Sequence, residues 1–262
     1  MRILLLLILL SPALAKAYTV TDQWGVEHGT GYEPAITDIL LPKAYESLPT
    51  TDLPQAFDSR SLGWISPVKN QGGCGSCWAH AIVENFEDQL LKKTKQLTQL
   101  SVAQIIDCDS AAAGCGGGDM AQGFYAVNPG LSLAKDYPYG GGQGWCKNPL
   151  PTIAERAKGW KYVGKPNTAP TVDELKAAIM AHASLFVLVS AGGANWDGRA
   201  YMYQCGNTYD NHMVEIVGWT AKGEWIMRNS WGTGWGDKGF AYLPFGCDNI
   251  ATGVGSAAFL EL

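Results

Sequence analysis

The sequence predicts an α+β protein built from two lobes. Apolar residues recur at helical spacing in the first half of the chain after residue 53, and short strand-like runs separated by glycine and asparagine fill the second half. Helices and strands that segregate along a chain in this way are typical of α+β folds. We therefore expect one domain, 53–262, with a helical lobe mainly in 60–160 and a β lobe mainly in 161–255.

The longest predicted helix begins at Cys77 and ends near Leu91. Its apolar residues are spaced three and four apart, as on one face of a helix. Acidic side chains occupy the other face, namely those of Glu84, Glu87 and Asp88. The pattern therefore predicts an amphipathic helix that packs its apolar face into the helical lobe.

Two shorter helices are predicted by capping boxes, in which a Ser or Thr is followed three residues later by Glu or Gln. These patterns lie at 101–104 and 171–174, and the helices are expected to end near Asp107 and His182. Further along the chain the period changes to that of strands. The predicted strands are 185–189, 213–219, 224–227 and 239–243.

The first seventeen residues, 1–17, predict a secretory signal peptide. One basic residue, Arg2, precedes a short apolar run, and small residues up to Ala17 provide a cleavage site. The run is too short for the roughly 20 residues of a membrane span, and no later stretch reaches that length. We therefore expect no membrane span and a place in the secretory pathway, with a lysosome, a vacuole or the extracellular space as destination.

Residues 18–52 are expected to form a short pro-segment. They hold no cysteine, contain scattered prolines and end in a loose stretch at 49–52, whereas the chain from Leu53 onward is rich in glycine, tryptophan and cysteine. An ordinary N-terminal arm is the alternative that this change of composition leaves open.

The charge balance argues against nucleic acid and anionic membranes as partners. The chain has 19 basic and 24 acidic residues, a net charge of −5, and therefore no excess of positive charge for a polyanion. Hydrophobic residues make up 47% of the chain, which is typical of a packed globular protein. We expect a monomer.

All seven cysteines lie at or after Cys74. Thiols of secreted proteins oxidise to disulfides, and an odd number leaves at least one thiol unpaired within a monomer. The unpaired thiol is the first indication of chemistry in this sequence.

Cys74 and Cys77 admit three interpretations: a redox dithiol, half of a zinc site, or a reactive thiol beside a structural half-cystine. A redox pair would follow a βαβ pattern, which is not found here. A zinc site needs a second close pair, and Cys108 and Cys115 are too far apart for one. Cys77 stands at the predicted helix N-terminus, where the helix dipole stabilises a thiolate, so the third interpretation is favoured.

A thiolate that attacks a carbonyl needs a histidine to carry the proton. The sequence has four: His28 in the expected pro-segment, His182 on the apolar face of a predicted helix, His80 one turn after Cys77, and His212 at the head of a predicted strand. His212 is the best candidate of the four.

Asn229 is a plausible partner for His212. It can accept a hydrogen bond from the imidazole, and Trp231 beside it could shield that bond from water.

Three stretches carry a resemblance to a known family: residues 71–79 (QGGCGSCWA), Asn211-His212, and residues 229–236 (NSWGTGWG). They resemble the signatures of papain-like cysteine proteases, over essentially the whole of 53–262. The resemblance implies a helical lobe and a β-barrel-like lobe with the active-site cleft between them. Cys77 would lie on one wall of the cleft and His212 on the other.

The resemblance also implies the role of each site residue. Cys77 would be the nucleophile, His212 the proton carrier and Asn229 the residue that orients the imidazole. Gln71 would donate its side-chain amide to the oxyanion, together with the backbone N–H of Cys77. The Cys–His pair would rest largely as thiolate and imidazolium, and the reaction would pass through an acyl-enzyme.

Substrate contacts and disulfides are implied in the same way. Gly117 and Gly118 would form the backbone edge that binds an extended peptide, Trp231 would line the cleft, and Thr252 would floor the pocket for the second residue before the scissile bond. The neutral side chain of Thr252 favours apolar substrate residues there. The implied disulfides are Cys74 with Cys115, Cys108 with Cys146, and Cys205 with Cys247.

The function expected from the sequence is that of a cysteine endopeptidase made as a zymogen. The pro-segment would block the cleft, in reverse orientation to a substrate, and would be removed at low pH near Leu53. An exopeptidase of cathepsin B or X type is an alternative, but the histidine-bearing loops that anchor chain ends in those enzymes are absent from the sequence. A catalytically silent binding homologue is the other alternative. The expected partners are peptide or protein substrates, the pro-segment and cystatin-like inhibitors, without cofactor or metal.

Overall fold

The protein is described by a computed structural model that covers residues 19–32, 44–192, 196–202 and 204–262. The predicted signal peptide, 1–17, lies outside the described residues. Among the described residues, no helix combines the length and apolarity that a bilayer crossing requires.

The helices occur in the first two thirds of the described chain. They are α1 (Cys77–Thr94), α2 (Val102–Cys108), α3 (Gly123–Val127) and α4 (Val172–His182). The caps expected from the sequence are present: the Ser101 hydroxyl accepts from the N–H of Gln104, and Thr171 and Glu174 form a reciprocal capping box. Local capping therefore fixes where α2 and α4 begin.

The strands form one large sheet and two small ones. They are β1 (Thr19–Thr21), β2 (Glu27–Gly29), β3 (Tyr45–Glu46), β4 (Phe57–Asp58), β5 (Leu131–Ser132), β6 (Ile153–Glu155), β7 (Gly159–Val163), β8 (Leu185–Val189), β9 (His212–Trp219), β10 (Glu224–Arg228), β11 (Phe240–Pro244) and β12 (Ala257–Glu261). The large sheet has the order β11-β10-β9-β8-β12-β7-β3, and β4 also pairs with β9. The four strands predicted from the sequence correspond to β8, β9, β10 and β11.

The large sheet contributes to two hydrophobic cores, one on each face. In β8, Leu185, Val187 and Val189 belong to the core of the β lobe, which also holds five of the ten tryptophans. Phe186 and Leu188 belong to the core of the helical lobe, around α1. Because successive strand residues point to opposite faces, β8 is buried along its whole length.

The acidic face of α1 is buried, contrary to the simple amphipathic pattern. Glu84, Glu87 and Asp88 are all buried. The Lys69 ammonium lies 2.8 Å from Glu87. Asp88 lies 2.6 Å from the guanidinium of Arg228, which is itself fully buried on β10.

Arg228 is the centre of this group, which we call the Arg228 cluster: Arg228 with Glu84, Asp88 and Glu215. Its Nε donates to Glu215 at 2.7 Å and lies 3.8 Å from Glu84. Burial raises the pKa of Glu84 to about 7 and that of Glu215 well above its ordinary value, although Arg228 opposes both shifts. The cluster joins α1 to β9 and β10 behind the cleft.

The segment expected to be a pro-segment contains ordered structure that the sequence did not predict. Strands β1 and β2 form an antiparallel hairpin. Strand β3 pairs in parallel with β7 at the end of the large sheet. We call 19–32 the hairpin segment.

Candidate active site

Cys77 lies where the sequence places it, at the first residue of α1. Its side chain is 0% exposed, and it is the cysteine left free when the other six form disulfides. Those disulfides are Cys74 with Cys115, Cys108 with Cys146, and Cys205 with Cys247, the pairs that the resemblance implies. The Cys74–Cys115 bond ties the approach to Cys77 to the glycine-rich turn at 114–118.

His212 begins β9, and Asn229 directly follows β10, its neighbour in the sheet. The antiparallel pairing of these strands brings the two side chains together, and the His212 Nε2 donates to Asn229 Oδ1 at 2.9 Å. The Trp231 ring lies 5.0 Å from the imidazole. His212 Nδ1 is buried and has no hydrogen-bond partner among the described residues, so it is available to a neighbouring group.

Gln71 is held in place by its contacts with Ser230. The Ser230 hydroxyl donates to Gln71 Oε1 at 2.6 Å, and the Ser230 carbonyl accepts from the Gln71 backbone N–H at 2.8 Å. These bonds orient the amide so that Nε2 donates to the carbonyl oxygens of Gly29 and Cys74, each at 2.8 Å. A carbonyl from the hairpin segment therefore occupies the Gln71 donor.

Burial sets the protonation of the Cys77 and His212 side chains in this covered cleft. It raises the pKa of the Cys77 thiol to about 11, although backbone hydrogen bonds from Met213 and Gly31 oppose the shift. It also lowers the pKa of His212 to about 4, against the hydrogen bond with Asn229. Burial therefore favours the neutral thiol and the neutral imidazole, and the ion pair that the resemblance implies stays a prediction.

His28, which sequence reasoning set aside, lies in the cleft. Its ring stacks on Trp231 with centroids 4.5 Å apart, and its Nε2 donates to Asp22 at 3.0 Å. Asp22 also accepts from the N–H groups of Trp24 and Val26, which closes the β1–β2 turn. The hairpin segment thus holds the His28 ring in position to stack on Trp231 at the cleft wall.

The chain after His28 passes across the site without room for side chains. A Cβ on Gly29 would lie 2.6 Å from the Cys74 carbonyl oxygen, and a Cβ on Gly31 would overlap the carbonyl oxygen of Gly75. The Gly31 carbonyl accepts from the N–H of Gly118 at 2.9 Å. The sequence Gly-Thr-Gly is the signal from which this close passage could have been inferred.

Of the two glycines predicted to form the backbone edge, Gly118 is contacted by the same segment, whereas the Gly117 carbonyl accepts from the N–H of Ala113 at 2.9 Å. Tyr32 forms a parallel bridge with Gly118, and its N–H donates to the Asn211 carbonyl at 3.0 Å. Thr252 is exposed at the surface, and its hydroxyl donates to the Asn249 carbonyl at 3.1 Å. Its role as a pocket floor stays a prediction.

The comparison with protein families decides the identity of this fold. The sequence profile described as papain family cysteine protease matches residues 53–259. The chain belongs to the papain family.

Curated relatives agree with this assignment. Cathepsin K of Mus musculus is 36% identical over 219 residues, which are 80% of this chain and 65% of that protein. The cysteine proteinase RD21A of Arabidopsis thaliana is 35% identical over 221 residues, 80% of this chain and 46% of that protein. This papain-family chain thus spans less than two thirds of the length of these relatives.

A solved structure shows the same fold. The digestive procathepsin L 3 of the Tenebrio molitor larval midgut superposes with a TM-score of 0.71 and 28% identity, over 84% of this chain and 75% of that chain. The α+β, papain-like two-lobe fold expected from the sequence is confirmed.

The two remaining histidines of this papain-family chain have structural contacts. His80 Nδ1 donates to the Ser76 carbonyl at 2.9 Å, and burial lowers its pKa to about 3. His182 stacks on Phe259 and donates to Glu46 at 2.9 Å. The described residues also contain no group of three side chains suited to hold a metal ion.

Proposed function

We propose that this chain is a cysteine endopeptidase made as a zymogen. The observation that carries the proposal is the free Cys77 thiol at the N-terminus of α1, hydrogen-bonded by the backbone of Met213, which directly follows the Asn229-bound His212. Family membership gives the reaction class. These groups supply the nucleophile, the proton carrier and its orienting residue.

In this mechanism the proton of the Cys77 thiol passes to His212, and the Cys77 sulfur attacks the carbonyl carbon of a substrate peptide. The developing oxyanion accepts hydrogen bonds from Gln71 Nε2 and the Cys77 N–H. His212 then donates a proton to the leaving amine, and an acyl-enzyme remains. Water, deprotonated by His212, hydrolyses the thioester, and Asn229 keeps the ring oriented through both steps.

The hairpin segment acts as the inhibitor in this proposal. Its Gly29 carbonyl occupies the donor of Gln71, and its backbone occupies Gly118. The hairpin segment runs from Trp231 towards Gly118. The residues after Gly29 therefore lie on the Gly118 side of the cleft, which is predicted to bind the substrate residues that precede the scissile bond. A substrate would therefore run in the opposite direction, as expected for a segment that resists cleavage.

Endopeptidase action is supported by what covers the cleft beyond the site. A cavity of about 690 Å³ next to Trp231 is bounded on one side by the hairpin segment and on the other by Val68, Asn70 and Trp235. The residues that cover this cavity belong to the hairpin segment, which must leave the cleft before the enzyme can act. Its departure would open the cleft beyond the scissile bond, which favours an endopeptidase over exopeptidases of cathepsin B or X type.

Localisation and partners follow from the sequence prediction of a signal peptide. We propose the secretory pathway, with lysosome, vacuole or extracellular space as the destination, and action as a monomer on peptides or proteins. Cystatin-like inhibitors are proposed as partners because they would compete for the same cleft.

Labelling of Cys77 tests the proposed function. After removal of the hairpin segment, a peptidyl epoxide or vinyl sulfone is expected to modify the protein at pH 5, with loss of labelling in Cys77→Ala. A mixed library of peptides with free and blocked ends then separates endopeptidase from exopeptidase action. A processed wild type that neither reacts with the reagent nor cleaves any peptide would show the silent binding homologue instead.

Gln71→Ala is expected to lower kcat by about 100- to 1,000-fold, with a smaller change in KM, because one oxyanion donor is lost. Steady-state kinetics of the processed enzyme on a fluorogenic peptide measure both constants. Asn70→Ala is the control, since Asn70 lies beside the cleft but donates nothing to the reacting carbonyl in this mechanism. A Gln71→Ala enzyme within threefold of wild type would exclude this role.

Gly31→Ala is expected to weaken inhibition by the hairpin segment, because the added Cβ would overlap the Gly75 carbonyl. Unprocessed Gly31→Ala protein should hydrolyse a small fluorogenic peptide at least about tenfold faster than unprocessed wild type, as a cost of about 1.4 kcal/mol predicts. Gly140→Ala is the matched control, since a Cβ at that position meets no atom within 4 Å. Equal rates for both variants would contradict the blocking geometry.

A further inference from the structure

The N-terminal arm has two parts that contact different surfaces of the protein. The hairpin segment contacts the cleft, through Gly72, Gln71, Gly118 and Trp231. The second part, residues 44–52, contains β3 and pairs with β7 at the end of the large sheet. Only the first part blocks the site, so only its departure is needed for activity.

Residues 44–46 complete the hydrogen bonding of the sheet edge. The Tyr162 N–H donates to the Ala44 carbonyl at 2.9 Å, and the Gly164 N–H donates to the Glu46 carbonyl at 2.8 Å. The ring of Tyr45 lies 5.5 Å from that of Tyr162, which is buried. Removal of this strand would leave donors of β7 unpaired and uncover an aromatic side chain.

Charged groups fix the same strand to the body of the protein. The Glu46 carboxylate accepts from His182 at 2.9 Å and from Lys161 at 3.2 Å. Burial alone would raise the pKa of Glu46, but these two hydrogen bonds lower it, so the carboxylate is ionised. The Ser47 hydroxyl donates to Glu174 at 3.2 Å.

The segment then continues along the β lobe. Leu48 packs against the core of that lobe, and the Pro54 carbonyl accepts from the Trp219 indole at 3.2 Å. Contacts of backbone, ring, charge and apolar side chain therefore hold residues 44–48 to the domain, and contact resumes at Pro54 after the exposed residues 49–52.

We propose that residues 44–52 remain in the active enzyme as its edge strand, and that only the part of the arm before Ala44 is removed. The inference rests on the proposed zymogen function. It replaces Leu53 as the boundary between pro-segment and mature enzyme. The composition changes at Leu53, but the arm already changes from cleft contacts to sheet contacts before Ala44. The active enzyme would start at or before Ala44.

The test uses two versions of the full-length chain. The first carries a recognition sequence for a foreign protease between Tyr32 and Ala44, and the second carries the same sequence there and again between Thr51 and Asp52. After cleavage and gel filtration, the doubly cut protein has lost the peptide that contains residues 44–51 and is expected to melt at least about 4 °C below the singly cut one. Equal melting temperatures and equal peptidase rates would overturn the inference.

Point variants and the natural N-terminus complete the test. Glu46→Ala is expected to lower the melting temperature of the singly cut enzyme, whereas Asp136→Ala, at an exposed position in the retained domain, should leave it unchanged. Mass spectrometry of the self-activated enzyme should find Tyr45 retained, and a start at Leu53 would overturn the inference. If neither cut form is labelled at Cys77, the proposed function fails, while the melting comparison still decides whether 44–52 is structural.

Discussion

His212→Ala is expected to lower kcat of the processed enzyme on the order of 10⁴-fold or more, which makes it one of the two largest effects that the structure predicts. In the proposed mechanism the imidazole is the proton carrier for both acylation and deacylation, and its Nδ1 is buried without another partner among the described residues. Hydrolysis of a fluorogenic peptide measures the loss. The residual rate should lose the pH dependence that the His212 imidazole confers.

The control for this variant is His182→Ala. His182 is also partly enclosed and also hydrogen-bonded, but its partner is Glu46 on β3 and not a residue of the cleft. Its removal should lower the melting temperature and leave kcat within about threefold of wild type. A His212→Ala enzyme that retains more than a tenth of the wild-type kcat would refute the assignment of the proton carrier.

Arg228→Met is expected to lower the free energy of unfolding by about 3–5 kcal/mol at pH 7, the second large effect. The guanidinium is fully buried and contacts the carboxylates of Asp88, Glu215 and Glu84. Methionine fills much of the same space but leaves these carboxylates without their cation. Urea unfolding followed by tryptophan fluorescence measures the change.

The same cluster predicts how wild-type stability varies with pH. Burial raises the pKa of Glu84 to about 7 from an ordinary value of 4.5, so the folded protein holds a proton that the unfolded chain releases. The contribution of Glu84 to stability should therefore be largest below about pH 4.5 and fall as the pH rises to about 7. For the same reason the loss in Arg228→Met should be smaller at pH 5 than at pH 7.

Glu84→Gln is the matched variant for the pH dependence. It keeps the shape of the side chain and removes the titrating group, so its stability should vary less between pH 4.5 and pH 7 than that of wild type. A pH profile identical to wild type would show that Glu84 does not titrate in this range. An Arg228→Met protein as stable as wild type at pH 7 would show that the carboxylates are neutral throughout.

The candidate site could be predicted from the sequence because its signals are local. A glycine-rich approach, a thiol and a helical period follow one another at Cys77, and the His212 and Asn229 motifs stand at the ends of strongly patterned strands. Capping boxes fixed the starts of α2 and α4 for the same reason. Each of these signals depends on a few neighbouring residues.

Features that depend on distant partners could not be predicted. The acidic residues of α1 have the spacing of a solvent-exposed helix face. The burial of Asp88 depends on Arg228, which lies 140 positions later in the sequence. His28 lies in the expected pro-segment, and its place is decided by stacking on Trp231. Strand β12 contains two alanines and reads weakly as a strand, but the strands on both sides of it supply the pairing.

The large sheet has a consequence for how the protein unfolds. Because β8 and β12 insert alternate side chains into the cores of both lobes, neither core can unfold without disrupting the sheet against which the other core packs. The halves flanking the cleft are therefore expected to melt as a single cooperative unit. Such a shared sheet would hold the two sides of the cleft at a fixed distance during the proposed reaction.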